Sequence, residues 1–128
     1  MRLLLDTQIA LWALTCSARL GSMAQELTEK SANEIYVSTA SVWEIAIKHA
    51  LGRGDMPISG TRAADLFAQA GYLELPVVWR HAATVDSLPP IHRDPFDRIL
   101  IAQAFTEPMH LLSRDATLAA YGAMVMAV

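Results

Sequence analysis

The sequence predicts an α/β fold in which a mostly parallel central sheet is covered by helices on both faces. Short apolar or β-branched runs alternate with helix-length segments along the whole chain, the pattern that buries a parallel sheet between two helical layers. At 128 residues the chain has the length of one domain, and residues 1–128 are read as a single one. Its content, 53% hydrophobic and 18% charged, is too apolar for a disordered chain and suits a buried sheet or an extra interface. There is no internal repeat and no low-complexity stretch.

Each element has its own signal. Leu3-Leu4-Leu5 is an apolar run that stops at the turn-compatible Asp6-Thr7, as a short buried strand does. Ile9–Leu14 reads as a first helix and Ala24–Lys30 as a polar surface helix. Ile35-Tyr36-Val37 is a second strand. Ser38 and Thr39 offer N-caps for a helix reaching about Ala50, which Gly52-Arg53-Gly54-Asp55-Met56-Pro57 breaks. Ala63–Ala70 is a helix ending at Gly71, and Tyr72–Leu75 a third strand. Trp79–Leu88 reads as a helix, Pro89-Pro90 as a turn, and Pro95–Phe105 as a strong helix. His110–Leu112 is a fourth strand, Ala116–Tyr121 a short helix and Met124–Met126 a fifth strand.

Composition narrows the function classes. The single cysteine, Cys16, cannot form an internal disulfide, which points to a reducing compartment. No apolar run has the length of a membrane span, and the N-terminus lacks a signal peptide's long apolar stretch, so the expected location is the cytoplasm. Net charge is −3, which at first argues against a nucleic-acid partner. Setting four acids aside, Asp6, Glu44, Asp97 and Asp115, leaves nine acidic residues against ten basic ones. If those four bind a cation, the balance turns slightly positive.

These acids stand where the chain is otherwise most apolar. Asp6 closes Leu3–Leu5, Asp115 follows His110–Arg114, Glu44 lies inside Val42–Ile47, and Asp97 opens Asp97–Ala102. An ionised carboxylate against apolar surface costs several kcal/mol unless paired or metal-bound, roughly. In a parallel sheet the functional crevice lies beyond the C-terminal strand ends, and all four fall near that edge. Each also has a bland role. Asp94-Pro95-Phe96-Asp97 resembles a helix start, Ser41 to Glu44 a capping box, Glu44 and Lys48 an exposed i,i+4 pair, and Asp6 and Asp115 simple caps. The four histidines lack zinc spacing, no cysteine pair exists, and oxygen-only ligands favour Mg²⁺ or Mn²⁺. No nucleophile elbow or glycine-rich phosphate loop occurs. His92, Arg93 and Arg98 flank Asp94 and Asp97, either to hold phosphate or as exposed helix-end charges. Trp12, Trp43 and Trp79 read as core or interface residues.

Taken in order, these segments resemble the PIN-domain ribonucleases, in particular the VapC-type toxins of bacterial toxin–antitoxin modules. Leu3-Leu4-Leu5-Asp6-Thr7 resembles the opening strand with its first catalytic aspartate. Ser38 to Lys48 resembles the second motif with its glutamate at Glu44, and His92-Arg93-Asp94-Pro95-Phe96-Asp97-Arg98 the third, with its aspartate at Asp97. Ser113-Arg114-Asp115 resembles the fourth, usually Thr-x-Asp. Gln8 stands where the family often has histidine or asparagine, and Ser113 replaces the common threonine while keeping its hydroxyl.

The resemblance implies a three-layer PIN-like fold and a metal-dependent endoribonuclease acting as the toxin of a toxin–antitoxin module. It implies Asp6, Glu44, Asp97 and Asp115 as catalytic and metal-binding residues for Mg²⁺ or Mn²⁺. Thr7, Asp94 and Ser113 would support them, and Arg93 and Arg98 would contact phosphate. RNA substrate, a VapB-type antitoxin and a second copy of the chain are the implied partners, with DNA reached only through the antitoxin. The alternatives are an inactive PIN-like binding module and a receiver-type signalling domain. A receiver would need an adjacent acid pair after the first strand and a late lysine, whereas the only lysines are Lys30 and Lys48.

Overall fold

The computed structural model describes residues 1–52 and 56–128. Of the break expected over residues 52–57, positions 53–55 lie outside the described residues. Strands β1 (Arg2–Leu5), β2 (Glu34–Ser38), β3 (Leu73–Leu75), β4 (His110–Ser113) and β5 (Val125–Ala127) form one sheet. Their order is β3-β2-β1-β4-β5 and every neighbouring pair is parallel. The sheet is thus parallel throughout, with helices around it. A receiver domain is ordered 2-1-3-4-5, so strand order overturns that alternative. The helices are α1 (Thr7–Leu14), α2 (Ser22–Glu29), α3 (Thr39–Ala50), α4 (Gly60–Gln69), α5 (Trp79–Thr84) and α6 (Pro95–Thr106).

The central strand explains the layering. Leu3, Leu4 and Leu5 are fully buried. Leu3 and Leu5 pack with Ile9, Val37, Ile45 and Phe67, whereas Leu4 packs with Leu100, Ile101 and Leu111. Successive side chains of a strand point to opposite faces, so each face carries its own core. Burying a leucine side chain stabilises by about 1.5–3 kcal/mol, which makes β1 the element that both helical layers share.

Several elements differ from expectation for identifiable reasons. The helix read over Trp79–Leu88 ends at Thr84, and Val85–Ser87 tightens into a 3-10 turn. Leu88 precedes Pro89 and is extended, at φ −74 and ψ 138, because a proline disfavours α geometry in the residue before it. Ala116–Tyr121 is a 3-10 segment rather than an α-helix, and a further 3-10 turn spans Ala18–Leu20. The expected stop at Gly71 is present: α4 ends at Gln69 and Gly71 takes φ 83, open to a residue without Cβ. Trp43 and Trp79 are not core residues, being 63% and 94% exposed.

Away from the C-terminal edge, His81 ties α5 to the end of α6. It is 1% exposed, Nδ1 accepts the Val78 N–H, and Nε2 lies 2.5 Å from Glu107 Oε2. Arg80 and Arg2 pair with the same carboxylate. The hydrogen bond from His81, with help from Arg80, holds the Glu107 carboxyl below its ordinary range.

Gly60 sets the closest approach of α4 to α3. A Cβ there would lie 2.6 Å from Ala46 Cβ and 3.3 Å from the Val42 carbonyl oxygen. The helices would have to separate, so Gly60→Ala is expected to destabilise by about 1–3 kcal/mol. Chemical denaturation of the two proteins checks this; an unchanged midpoint would contradict it.

Candidate active site

Parallel pairing places the site. Leu5 stands level with Val37 on one side and Leu112 on the other, so the residues that follow β1, β2 and β4 emerge together at one edge. On one side of β1 the chain continues to β2, and on the other it returns as β4, the arrangement that opens a crevice above the central strand. The N-termini of α1 and α3 start at that edge, directly after β1 and β2. Their partial positive charge favours carboxylates there.

Asp6 lies at the base of the crevice. It is 7% exposed, its N–H bonds to the Leu112 carbonyl, and its Oδ1 accepts the Ile9 N–H at 2.8 Å as the cap of α1. Burial pushes its pKa up. Hydrogen bonds from the Ser113 hydroxyl, the Ile9 N–H and the Arg114 N–H oppose that shift, and the Glu44 charge adds to it. The cap anticipated for Asp6 is real, and it coexists with a buried position facing another acid.

Glu44 is also 7% exposed, and both of its oxygens are held. Thr7 Oγ1 lies 2.7 Å from Oε1 and 3.0 Å from Ser41 Oγ, while Lys48 Nζ lies 2.6 Å from Oε2. Thr7 opens α1, so this hydroxyl joins α1 to α3. The capping box read from Ser41 to Glu44 does not form. The cap is Ser38, whose Oγ accepts the Ala40 N–H at 3.0 Å, and Ser41 lies inside the first turn with its hydroxyl toward Thr7. The i,i+4 pair with Lys48 does form, with its acid end buried rather than exposed.

Asp94 caps α6, accepting the Phe96 N–H at 2.9 Å, and Pro95 occupies the first turn. Asp97 follows in that turn. Burial pushes its pKa up to about 7, with the charges of Asp94, Asp6 and Glu44 adding to the shift and His92 opposing it. Asp97 therefore senses the other acids of the crevice, as required if they share one site.

Asp115 is the least buried of the four. Its Oδ1 accepts from the Thr117 N–H at 2.9 Å and the Thr117 hydroxyl at 2.6 Å, and its Oδ2 lies 3.2 Å from His92 Nε2. These bonds, the Thr117 hydroxyl first, hold its carboxyl below the ordinary range. Ser113, fully buried, accepts the Asp115 N–H at 3.0 Å and reaches Asp6, so its hydroxyl joins two of the acids.

His92 is the residue the sequence left undervalued. Its Nδ1 lies 3.5 Å from Asp97 Oδ2 while its Nε2 faces Asp115. One ligand atom each from His92, Asp97 and Asp115 lie within 4.8 Å of one another. Its position in the same segment as Asp94 and Asp97 is the available signal, which spacing alone does not carry because His92 has no second histidine at zinc-ligand distance in sequence.

The two arginines divide. Arg98 Nη1 donates to Pro89 O, His92 O and Tyr121 Oη, and Nη2 to Val85 O. Arg98, anticipated as a phosphate contact, is built into a staple holding the segment before α6. Arg93 is exposed and lies on the wall of an adjacent apolar groove of about 750 Å³, with Trp43, Val77, Val85, Phe96 and Ile99. Phe96 packs edge-on against Trp43, ring centroids 5.4 Å apart. Among the described residues no helix is long and apolar enough to cross a membrane.

No curated protein matches the chain in sequence. Its fold is similar to a solved structure described as VapBC2 from Rickettsia felis bound to a DNA fragment from their promoter. That match has a TM-score of 0.72 and 13% identity and covers 98% of each chain. Residues 3–123 match the family model of the PIN domain, a span that includes every acid of the crevice. The chain belongs to the PIN domain family, whose members are generally nucleases.

Proposed function

We propose that this chain is a divalent-cation-dependent endoribonuclease, the VapC-type toxin of a toxin–antitoxin pair. The observation that carries the reading is the meeting of Asp6, Glu44 and Asp97 in one crevice, with Asp115 joined to it through Ser113 and His92. Family membership and likeness to a VapBC structure support it. The intact acid set argues against an inactive binding module.

The donor set fits a hard divalent ion such as Mg²⁺ or Mn²⁺. Burial raises Asp6 and Asp97, and neighbouring negative charges add to both shifts. Such a cluster is relieved when a cation shares it. Asp6, Asp97 and Asp115 would hold the ion, with Glu44 as a further ligand or as the group that orients water. The chemistry a bound ion supplies is a lowered pKa for water and an offset for charge developing on the phosphate. The chain's residues do the positioning. Ser113 and the Arg114 N–H orient Asp6, Thr7 and Lys48 orient Glu44, and Asp94 begins the helix that presents Asp97. Arg93 remains the phosphate-contact candidate at the rim.

Cleavage of RNA by the purified chain with Mg²⁺ or Mn²⁺, its abolition by EDTA, and sequencing of the ends produced test the reading. No cleavage under any of these conditions would overturn it.

The groove beside the acids is the surface offered to an antitoxin. Its wall is aromatic and aliphatic, with Trp43 63% exposed, and an amphipathic helix buries its apolar face in such a groove. Trp43→Ala is expected to weaken antitoxin binding tenfold or more, on the order of an aromatic hot spot, and to leave RNA cleavage by the free chain intact. Calorimetry with the cognate antitoxin measures this, and an unchanged affinity would refute the assignment. Trp79, 94% exposed next to the half-exposed Val78, suits contact with a second copy of the chain. Sedimentation of Trp79→Glu against the unaltered chain checks that part.

A further inference from the structure

The segment that carries His92 is held more firmly than a surface loop requires. The His92 N–H donates to Tyr121 Oη at 2.9 Å, and its carbonyl accepts from Arg98 Nη1 at 3.2 Å. Tyr121, 7% exposed, also accepts from Arg98 at 3.2 Å, which closes a clamp around one peptide. The clamp joins the segment before α6 to the 3-10 segment after β4. Those are the two segments that present Asp97 and Asp115.

In the neutral ring the two nitrogens have distinct tasks. The Asp94 N–H reaches Nδ1 at 3.3 Å, and a backbone amide can only donate, so Nδ1 accepts. The ring proton then belongs to Nε2, which donates to Asp115 Oδ2 at 3.2 Å. Nδ1 stands 3.5 Å from Asp97 Oδ2, a contact that spaces the acid without bonding it. Asp115 is thereby gripped on both oxygens, by Thr117 on one and His92 on the other. Without His92, this half-exposed side chain at the start of a short 3-10 segment would lose its only contact to the α6 side among those described.

We propose that His92 is a positioning residue of the nuclease site, setting the separation and orientation of Asp97 and Asp115 through its imidazole rather than ligating the cation itself. The inference rests on the cation-site reading above. Carboxylates that bind metal are oriented by hydrogen bonds from outside the ligand set, and losing such a partner weakens metal affinity by about 10–100-fold. His92 reaches both acids from a backbone held at its N–H and its carbonyl, which is how such a partner achieves precision. Tyr121 and Arg98 act one step further out, through His92.

The test is Mn²⁺ binding, measured by calorimetry and by electron paramagnetic resonance of the intact chain. His92→Ala is expected to weaken Mn²⁺ binding by about 10–100-fold. His92→Gln, whose amide can donate to Asp115 from a similar reach, should restore most of the affinity. Tyr121→Phe leaves every acid in place and removes only the acceptor's hydroxyl, so a smaller loss in the same direction is expected. It serves as the second variant if His92→Ala fails to fold. Pulsed spectra of the Mn²⁺-loaded chain should contain no coupling to a histidine nitrogen. A nitrogen coupling that disappears in His92→Gln would overturn the proposal in favour of direct ligation. Affinity indifferent to His92→Ala, or equally poor in His92→Ala and His92→Gln, would overturn it as well. Failure of the unaltered chain to bind Mn²⁺ would overturn the cation-site reading and this inference together, an outcome distinct from the others.

Discussion

Asp97→Asn is expected to abolish RNA cleavage and, in the same protein, to raise the thermal midpoint of the metal-free form. The first effect follows from the role proposed for Asp97 at the cation site; removing a group of this kind costs 100-fold or more in rate, on the order of general acid–base and electrostatic contributions. The second follows from its surroundings. Burial and the charges of Asp94, Asp6 and Glu44 push its pKa up to about 7, so ionised Asp97 is a burden when no cation shares the site. A neutral amide of nearly the same shape removes that burden. One pKa unit corresponds to about 1.36 kcal/mol, and partial solvent access reduces the effective gain to about 1–3 kcal/mol. For a chain of this size that is roughly 3–10 °C. Activity and thermal unfolding measured on one preparation check both halves. Full activity would sink the assignment of Asp97, and a lowered midpoint would show that its charge does not strain the metal-free fold.

The second large effect is the response of stability to pH and to cation. The folded-state pKa of Asp97 lies above the ordinary value of 3.8, so between about pH 4 and pH 7 the folded chain binds more protons than the unfolded one. Stability of the metal-free protein therefore falls as pH rises through that window. Asp6, also raised, acts in the same direction. Asp115 and Glu107 are lowered, and their stabilising contributions are lost only as pH falls below the ordinary carboxylate range. Saturating Mg²⁺ or Mn²⁺ at pH 8 should reverse the decline, by about 2.7 kcal/mol at a hundred times the dissociation constant. Cation affinity should itself increase as pH rises through about 7, since protons and cation compete for Asp97. Thermal unfolding from pH 5 to pH 8, with and without Mn²⁺, reads both trends. A metal-free protein whose stability rises steadily over that range would contradict the placement of these acids.

Much of this could be read from residues in order, because local signals agreed with one another. The leucine run of β1 and the capped start of α6 each carry their own instructions, and the four acids stood out against apolar neighbours. What escaped depends on contacts between distant segments. The choice of Ser38 over Ser41 as cap is settled by where β2 ends, and Ser41 then becomes available to Thr7. The staple made by Arg98 has no signature in sequence because its partners, Val85, Pro89, His92 and Tyr121, include backbone carbonyls. His92 was obscured for the same reason: its task is set by Tyr121, across a helix and a strand. Trp43 and Trp79 read as core or interface from composition, and their exposure settles in favour of the surface.

Strand order also dictates when the crevice can exist. Asp6 directly follows β1, yet its amide bonds to Leu112 and its carboxylate to Ser113 and Arg114, in and just after β4. β1 can pair with β2 early in synthesis, whereas its other edge stays open until β4 has left the ribosome. Pairing across such a long separation is slow relative to local structure. A growing chain that already carries Asp6, Glu44 and Asp97 still lacks the residues that orient Asp6 and the turn that bears Asp115. The crevice is thus closed by the pairing of β4 with β1, and no stretch of the chain that stops short of β4 contains it whole.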